Sequence, residues 1–527
     1  MTRKLCVLML LACLPCAAWA AKPDSDAAKA AKHRAATAAF LRGPIVELHF
    51  EISNENLEAL RNEPRRYVEA RLKSDGKQYR SVAVKLKGAD GSFKPIDAKP
   101  GFTVNLDMFK GAERFHGMKK FHLNNANEDP SFLRQLICGE IARAADVPAV
   151  RCIHAFVRLN DRDLGLYVFT EGFTKDFLAQ SYKDPNGDLY EGGFCKDIDE
   201  DLQKDEGDKK NFRAIEQLLA ACREEDAAAR WKKLGVILDT ERFASFLAME
   251  ALLGVGDGYN FFHNNYRLYH DPVSQKLSFI LHGMDQPLGD VGFPIQRDPE
   301  SIVGRAFVSC PEGRALYRAQ VGVLYEKVFA QRDWPARVAE VSAKVRAAMS
   351  PRDAGAAREL AGRMDEFRTI VGERVRQIAQ ELAELPEPLT FDKSGAARLT
   401  KGWATKYEEG ANLERVPADG RPCLRIKAAG QSQASWRTGA QLPGGRYRFE
   451  SHVSTRGVEG PGAGLRISGQ EPSIEWVRGD SDWRNFSFEF DVPGDGGEIV
   501  LVAELRANKG EARFALDSLR LVRLESK

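Results

Sequence analysis

Pro386 and Pro388 sit at a change of periodicity that no single regular element crosses, because a proline ring fixes φ and removes a backbone donor. Upstream, from Ala315 to Leu385, apolar residues recur at helical spacing, most strongly in LYRAQVGVLYEKVF and RMDEFRTIVGERVRQIAQEL. Downstream, from Leu389 to Lys527, the runs are short and alternating, as in YRFESHV, RNFSFEFDVP and ARFALDSLRLVRL, with Gly, Pro and Asn between them. A chain of 527 residues also exceeds the roughly 250 to 300 residues at which one hydrophobic core stops growing. At least two folded units are expected, the second a β-sandwich.

The opening MTRKLCVLMLLACLPCAAWA carries Arg3 and Lys4, an apolar run and the small-residue pattern Ala18, Trp19, Ala20, which predicts a secretory signal peptide over residues 1–20. Pro15 interrupts a run too short to span a membrane. Leu10, Leu11 and Ala12 ahead of Cys13 leave open a lipoprotein signal with Cys13 as the lipidated residue. No later segment is apolar and long enough for a transmembrane helix. The expected location is therefore secreted or periplasmic, with any membrane contact made through a lipid. Taking Arg3 and Lys4 from the 77 basic residues leaves 75 against 75 acidic ones, which is no electrostatic footprint for nucleic acid. Cys138, Cys152, Cys195, Cys222, Cys310 and Cys423 are scattered unlike a disulfide framework or a zinc site.

Residues 21–43, rich in Ala, Lys and Asp, read as a leader or a loose helix ahead of the first folded unit, residues 44–385. Between Pro44 and Leu123 alternating runs predict an antiparallel sheet. Asp129 and Pro130 predict the start of a helix carrying Phe132, Leu133, Leu136, Ile137 and Ile141, and His154–Leu159 with Leu164–Phe169 predict a hairpin. Asp239 suits the cap of the helix in LDTERFASFLAMEALLG. The class expected is α+β, followed by a linker over 386–392 and the sandwich over 393–527.

The segment with chemistry begins where that helix ends. In NNYRLYHDPVSQKLSFILHGMDQ two alternating strands flank Asp271, Pro272 and Ser274, a second hairpin. Asp257 precedes it, Asn264 and Asn265 open it, and Asp285 follows it, so a hairpin brings acid, amide and acid to one end. Phosphoryl transfer needs such a set: one carboxylate for the hydroxyl proton, and an amide with a second carboxylate for a magnesium ion. Asp, Asn and Gly are also ordinary turn formers; Asp257 with Asp285 could serve as the acid pair of a hydrolase, but nothing else in the sequence supports that class. His263 and His282 lack a third ligand at zinc spacing and read as structural; Cys195 lacks the signature of a thiol nucleophile.

DGYNFFHNNYRLYHDP followed by HGMDQPLG resembles the signature of the CotH-type spore-coat kinases. VKLKGADGSF, KPGFTV, KKFHLNNANEDPSFLR and LGLYVFTEGF extend the resemblance over roughly residues 45 to 380. It implies an atypical kinase-like fold, ATP with Mg2+ or Mn2+ as cofactors, and transfer of the γ-phosphate to Ser or Thr hydroxyls of exported or envelope proteins. It further implies Asp257 as catalytic acid/base, Asp285 and Asn265 as metal ligands, and Gly88, Asp90, Gly91 and Ser92 as the loop over the phosphates. Lys87 or Lys99 would reach those phosphates, and Glu171 would position a lysine. The chain departs from the family at GADGS, where many members carry GNSS, and at Asn105, where a second basic residue often stands. The alternative is a catalytically inactive CotH-like envelope or surface assembly protein, or a glycan-binding one. The C-terminal region weakly resembles the jelly-roll carbohydrate-binding modules through Trp403, GGRYRFE and FALDSLRL, and Trp403, Trp436, Trp476 and Trp483 are candidates to stack on sugar rings of a polysaccharide.

Overall fold

The computed structural model describes residues 25–109, 113–384, 389–406, 410–470, 476–492 and 497–524. The expected signal peptide, Cys13 and residues 386–388 of the linker lie outside them. Among the described residues no helix is long and apolar enough to cross a membrane.

After α1 (Ser25–Phe40) the chain forms β1 (Val46–Glu51), α2 (Asn54–Asn62), β2 (Val68–Ser74), β3 (Lys77–Lys87), β4 (Gly101–Asn105), β5 (Lys120–Asn124), α3 (Arg134–Ala144), β6 (Cys152–Leu159) and β7 (Arg162–Glu171). The seven strands close into a barrel in the order β1-β2-β3-β4-β5-β7-β6. Closure corrects the expectation of a purely antiparallel sheet: β1 runs parallel to β6, with Val46 opposite Ala155 and Phe50 opposite Leu159. Periodicity reports which side chains point inward and is blind to the direction of a partner 100 residues away. Strict alternation on β2 buries Val68, Ala70 and Leu72, and with Phe50, Phe102, Phe121 and Phe169 they fill the barrel.

The leader segment is part of this fold and not loose. Thr37 Oγ1 donates to the His116 carbonyl at 3.0 Å, and the Phe40 ring stacks on His116 with centroids 4.4 Å apart. Thr37 and Phe40 thus seat the end of α1, two positions that leave no period in the sequence. α3 also starts later than expected. Phe132 adopts φ +58°, and the Asp129 carboxylate reaches past it to accept the Arg134 amide at 2.8 Å.

Next come α4 (Lys175–Leu178), β8 (Asp188–Glu191), β9 (Gln203–Glu206), α5 (Arg213–Cys222), α6 (Ala227–Ile237), α7 (Thr240–Leu253), α8 (Tyr259–Phe262), β10 (Tyr266–His270) and β11 (Leu277–Leu281). A small sheet of order β11-β10-β8-β9 lies within a helical core completed by α9 (Ile302–Val308), α10 (Pro311–Leu324), α11 (Trp334–Met349) and α12 (Ala354–Glu384). Both expected hairpins are present, β6 with β7 and β10 with β11. Asp239 caps α7 by accepting the Arg242 amide at 3.2 Å.

β12 (Ala396–Arg398), β13 (Ala404–Lys406), β14 (Ala411–Ala418), β15 (Arg421–Ala428), β16 (Ser432–Leu442), β17 (Gly445–Ile467), β18 (Val477–Val492), β19 (Gly497–Ala507), β20 (Lys509–Ala515) and β21 (Arg520–Leu524) form a ten-stranded sheet. β17 pairs with β21 through its first residues, with β20 through its middle and with β19 through its end. Gly460 and Gly462, at φ +131° and +124°, let it bend, so the sheet wraps around a core of its own.

Candidate functional site

The site is built where α7 ends. Gly254 takes φ +61°, a left-handed turn that closes the helix and throws residues 255–265 back across it. Glu250, on the last turn of α7 and fully buried, accepts the amides of Tyr259 at 2.9 Å and Asn260 at 3.1 Å, and the Asn260 Nδ2 at 2.7 Å. Gly258 lies so close to that carboxyl that a Cβ would collide with it. On the other side the Tyr259 hydroxyl donates to Asp197 Oδ1 at 2.7 Å, and Asp197 Oδ2 accepts the Ile302 amide at 2.8 Å. The turn carrying Asp257 is thus pinned by carboxyls from two directions.

Asp257 itself is half-buried. Its Oδ1 accepts Asn264 Nδ2 at 3.1 Å, and its Oδ2 accepts Asn265 Nδ2 at 2.7 Å. Burial pushes the Asp257 carboxyl upward, the two amides hold it down, and the charge of Asp285 adds to the upward push. His263 and Asn265 reach this arrangement at φ +53° and +54°, left-handed conformations that non-glycine residues adopt sparingly and that gather at functional sites. His282 stands edge-on to Phe173 with centroids 5.1 Å apart. Cys195 donates its amide to Asn264 Oδ1 at 3.4 Å; burial raises its thiol, as do Asp257 and Asp90, the opposite of an activated nucleophile. All six described cysteines are free.

Lys87, half-buried, ends β3. Burial lowers its pKa while the nearby charge of Asp285 raises it. Its Nζ donates to Asn124 Oδ1, and Asn124 passes the link to Gln135 on α3. The lysine is therefore positioned by an amide relay. This corrects the role expected for Glu171, whose carboxylate is taken by Arg151 Nε at 2.8 Å, Arg151 Nη2 at 2.6 Å and Gln180 Nε2 at 3.1 Å. Lys99 also stands apart: its ammonium lies 4.7 Å from the Phe132 ring centroid and 5.1 Å from that of Tyr167, and burial lowers its pKa to about 8. Glu171→Gln is expected to cost about 3 kcal/mol of stability, as when one partner of a buried pair is removed. A melting experiment on the variant beside the native chain checks it.

Residues 88–92 fold over this region. Gly88 takes φ +114° with the Phe93 backbone 2.8 Å from where a Cβ would stand, so only glycine fits. The Ala89 amide donates to Ser92 Oγ at 3.0 Å, and Asn125 and Asn127 hold the carbonyls of Ser92 and Gly91 at 3.0 and 2.6 Å. Asp90 is exposed. Gly91 packs against Glu128, a carboxylate that sequence reasoning missed. Glu128 accepts Gln286 Nε2 at 3.0 Å, and burial, then Asp285 and Asp257, push its carboxyl upward. Its signal was its place in NEDP, just ahead of α3.

A second feature absent from the sequence reading is ionic. Asp205 on β9 joins Lys120 of the barrel at 3.2 Å to Arg267 of β10 at 2.8 Å, and Arg267 continues to Glu191 at 3.0 Å. Burial opposes ionisation of Asp205, yet Arg267 and Lys120 outweigh it and hold the carboxyl well below the usual range. This chain of charges ties the barrel to the small sheet.

The donors suit a hard cation: the Asp285 carboxylate and the Asn265 amide oxygen, whose nitrogen is committed to Asp257. Among the described residues no three His, Cys, Asp or Glu side chains are gathered to hold a metal unaided. Magnesium is commonly held by one or two carboxylates together with phosphate oxygens and water, and such a pair fits that pattern.

A family model described as CotH kinase protein matches residues 88–367, just over half of the 527 residues. No curated protein matches the chain. Among solved structures, TmCBM61 in complex with beta-1,4-galactotriose is 17% identical, over 25% of this chain and 98% of that one, with a TM-score of 0.19. A family 11 carbohydrate-binding module of the cellulase Lic26A-Cel5E of Clostridium thermocellum is 15% identical, over 27% and 98%, at 0.16. A family 35 carbohydrate-binding module from Clostridium thermocellum is 18% identical, over 22% and 90%, at 0.17. TM-scores this low carry no argument about this chain.

Proposed function

Because the chain belongs to the CotH kinase family, as the match over residues 88–367 shows, we propose that it is an exported protein kinase that transfers the γ-phosphate of ATP to Ser or Thr hydroxyls of exported or envelope proteins. The observation that carries this reading is the half-buried Asp257 held by two amides, with Asp285 close enough to act on its pKa. In this reading the functional unit is residues 44–385, and residues 393–527 form a separate sandwich.

Asp257 accepts the proton of the incoming hydroxyl, and its two amide donors aim both oxygens. Lys87, drawn toward Asp285 and steadied by Asn124, binds phosphate oxygens. The backbone of residues 88–92 covers them and excludes water. Asp285 and the Asn265 oxygen are the residues that would hold Mg2+ or Mn2+. A divalent ion bound there supplies neutralisation of phosphate charge. Phosphoryl transfer asks a protein chiefly for positioning and electrostatics, and the pinned loop 257–265 supplies the first.

The test is to incubate the mature chain with radiolabelled ATP and magnesium or manganese and to follow phosphate into the chain and into a generic acidic protein, beside Asp257→Ala and Asp285→Ala. Incorporation lost in both variants supports the kinase. Absence of incorporation together with absence of an ATP-dependent thermal shift would sink it in favour of an inactive assembly or adhesion protein.

That second reading has one observation of its own. Trp403, Trp436 and Trp476 are buried in the C-terminal core, whereas Trp483 is half-exposed, its indole donating to Asp419 Oδ2 at 2.9 Å and its ring faced by Arg421 at 5.3 Å. A polar-rimmed aromatic of this kind suits a sugar ring. Trp483→Ala is expected to abolish retention of the chain on a polysaccharide array with little change in melting temperature. Trp436→Ala should lower that temperature through its core position; retention unaffected by Trp483→Ala would end the glycan reading at this residue.

A further inference from the structure

Glu250 is fully buried and takes no part in the reaction just described. Every group bonded to it is an N–H: the Tyr259 amide, the Asn260 amide and the Asn260 side-chain nitrogen. A carboxylate accepts all three. A protonated carboxyl must also place an O–H, and its bonded neighbours offer no acceptor. The Asn260 side-chain oxygen is already taken by the Ser301 hydroxyl at 3.1 Å.

Among the described residues no cation forms an ion pair with it. Tyr317, from α10, turns its hydroxyl to the carbonyls of Ile295 and Arg297. Arg374, from α12, spends its guanidinium on the carbonyls of Ala251, Leu252, Val291 and Phe293. Glu381, also on α12, and Asp290, beyond β11, act on Arg374. Asp197 is separated from Glu250 by Tyr259. The three N–H bonds are thus what favours the ionised form, and burial is what opposes it.

We propose that Glu250 is a positioning residue for Asp257: its ionised carboxylate holds the loop 257–265 in the working arrangement, and its protonation releases that loop. The inference rests on the kinase reading of the site and adds to it a residue that touches neither nucleotide nor hydroxyl. Burial pushes the Glu250 carboxyl up to about 8. Its two consequences have opposite signs. A carboxyl whose folded pKa lies above its unfolded value, near 4.3, contributes stability that is full below that value and is lost as pH rises toward 8. Loop order follows the ionised form and increases over the upper part of the same range. Melting temperature should therefore fall with pH while turnover rises, an uncommon pairing that a merely structural glutamate would not give.

The experiment compares the native chain with Glu250→Gln and Glu250→Asp. Gln matches the shape but turns an NH2 group onto one of the N–H donors, whereas Asp keeps the charge one methylene short. The expected result for Glu250→Gln is a kcat down about 10²-fold, as for an ångström-scale misplacement, with the KM for ATP changed less than about twofold. The rise of kcat through pH 8 should be absent, and Glu250→Asp should retain it at reduced height. Hydrogen exchange supplies a readout that needs no activity: at fixed pH 8.5 the amides of residues 257–265 should exchange faster in Glu250→Gln than in the native chain, with those of the barrel unchanged. Native exchange in that segment overturns the proposal, whether or not the chain phosphorylates anything. A native pH limb with native kcat in Glu250→Gln overturns it equally. Faster exchange in a chain with no phosphoryl transfer would uphold the positioning role and fault the kinase reading alone.

Discussion

Asp257→Asn should reduce phosphoryl transfer by about 10²- to 10⁴-fold, the range a general base contributes, with the ATP-dependent thermal shift retained. The separation of the two effects follows from where Asp257 sits. Its oxygens are engaged by Asn264 and Asn265, both on the loop that closes over α7, while the lysine and the residue 88–92 loop proposed to face the phosphates lie on the barrel side. Removing the acceptor of the hydroxyl proton leaves nucleotide contacts in place. Asp285→Ala is expected to fail on both counts, since Asp285 is the carboxylate whose charge reaches Lys87, Asp257 and Glu128 alike. The pH profile supplies a third check. Burial raises Asp257 above its ordinary range near 3.9, so the acid limb of kcat/KM should lie above that of a free aspartate and should disappear in the Asn variant. An Asp257→Asn chain with unchanged turnover would remove Asp257 from the chemistry.

How far this was legible in the sequence depended on whether a residue's partner was near it in the chain. The hairpin over residues 266–281 writes its own register through Asp271, Pro272 and Ser274, and the meeting of Asn265 at its start with Asp257 just before it followed from local sequence. The α7 cap at Asp239 was equally local. Closure of the barrel was not legible, since β1 meets β6 across about a hundred residues and a two-residue period is the same for parallel and antiparallel partners. Glu171 failed for a related reason. Its neighbours on β7 were known, but its carboxylate is claimed by Arg151, just ahead of β6, and a sequence does not say which of several basic residues arrives. The Lys87–Asn124–Gln135 relay draws on β3, β5 and α3, and none of the three residues is unusual where it stands. Glu250 was hidden differently: on a helix with apolar residues on nearly every side, one glutamate reads as a solvated turn.

The largest effect on stability is expected from Arg374→Met, a loss of about 3 to 5 kcal/mol measured by urea unfolding, the size associated with leaving a buried polar set uncompensated. Arg374 is 1% exposed, and burial lowers its pKa to about 10. It donates to four carbonyls: Ala251 and Leu252 at 2.7 and 2.9 Å, and Val291 and Phe293 at 2.7 and 2.6 Å. The first two belong to the end of α7, where helix geometry leaves carbonyls without an internal partner, and a cation there also complements the helix dipole. The last two belong to the loop that follows Asp285. One side chain from α12 therefore fastens the helix that delivers Asp257 to the segment that follows Asp285. Methionine fills much of the same space and offers no donor, so the carbonyls of Leu252, Val291 and Phe293 would lose this partner in a dry interior, while that of Ala251 keeps the Gly254 amide at 3.1 Å. Since these two segments carry the two acids, Arg374→Met should also lower turnover in the fraction that remains folded, and restoring a planar donor with Arg374→Gln should recover part of the stability. An Arg374→Met midpoint within error of the native value would show that α12 is held by its apolar face alone and that the spacing of Asp257 from Asp285 is set elsewhere.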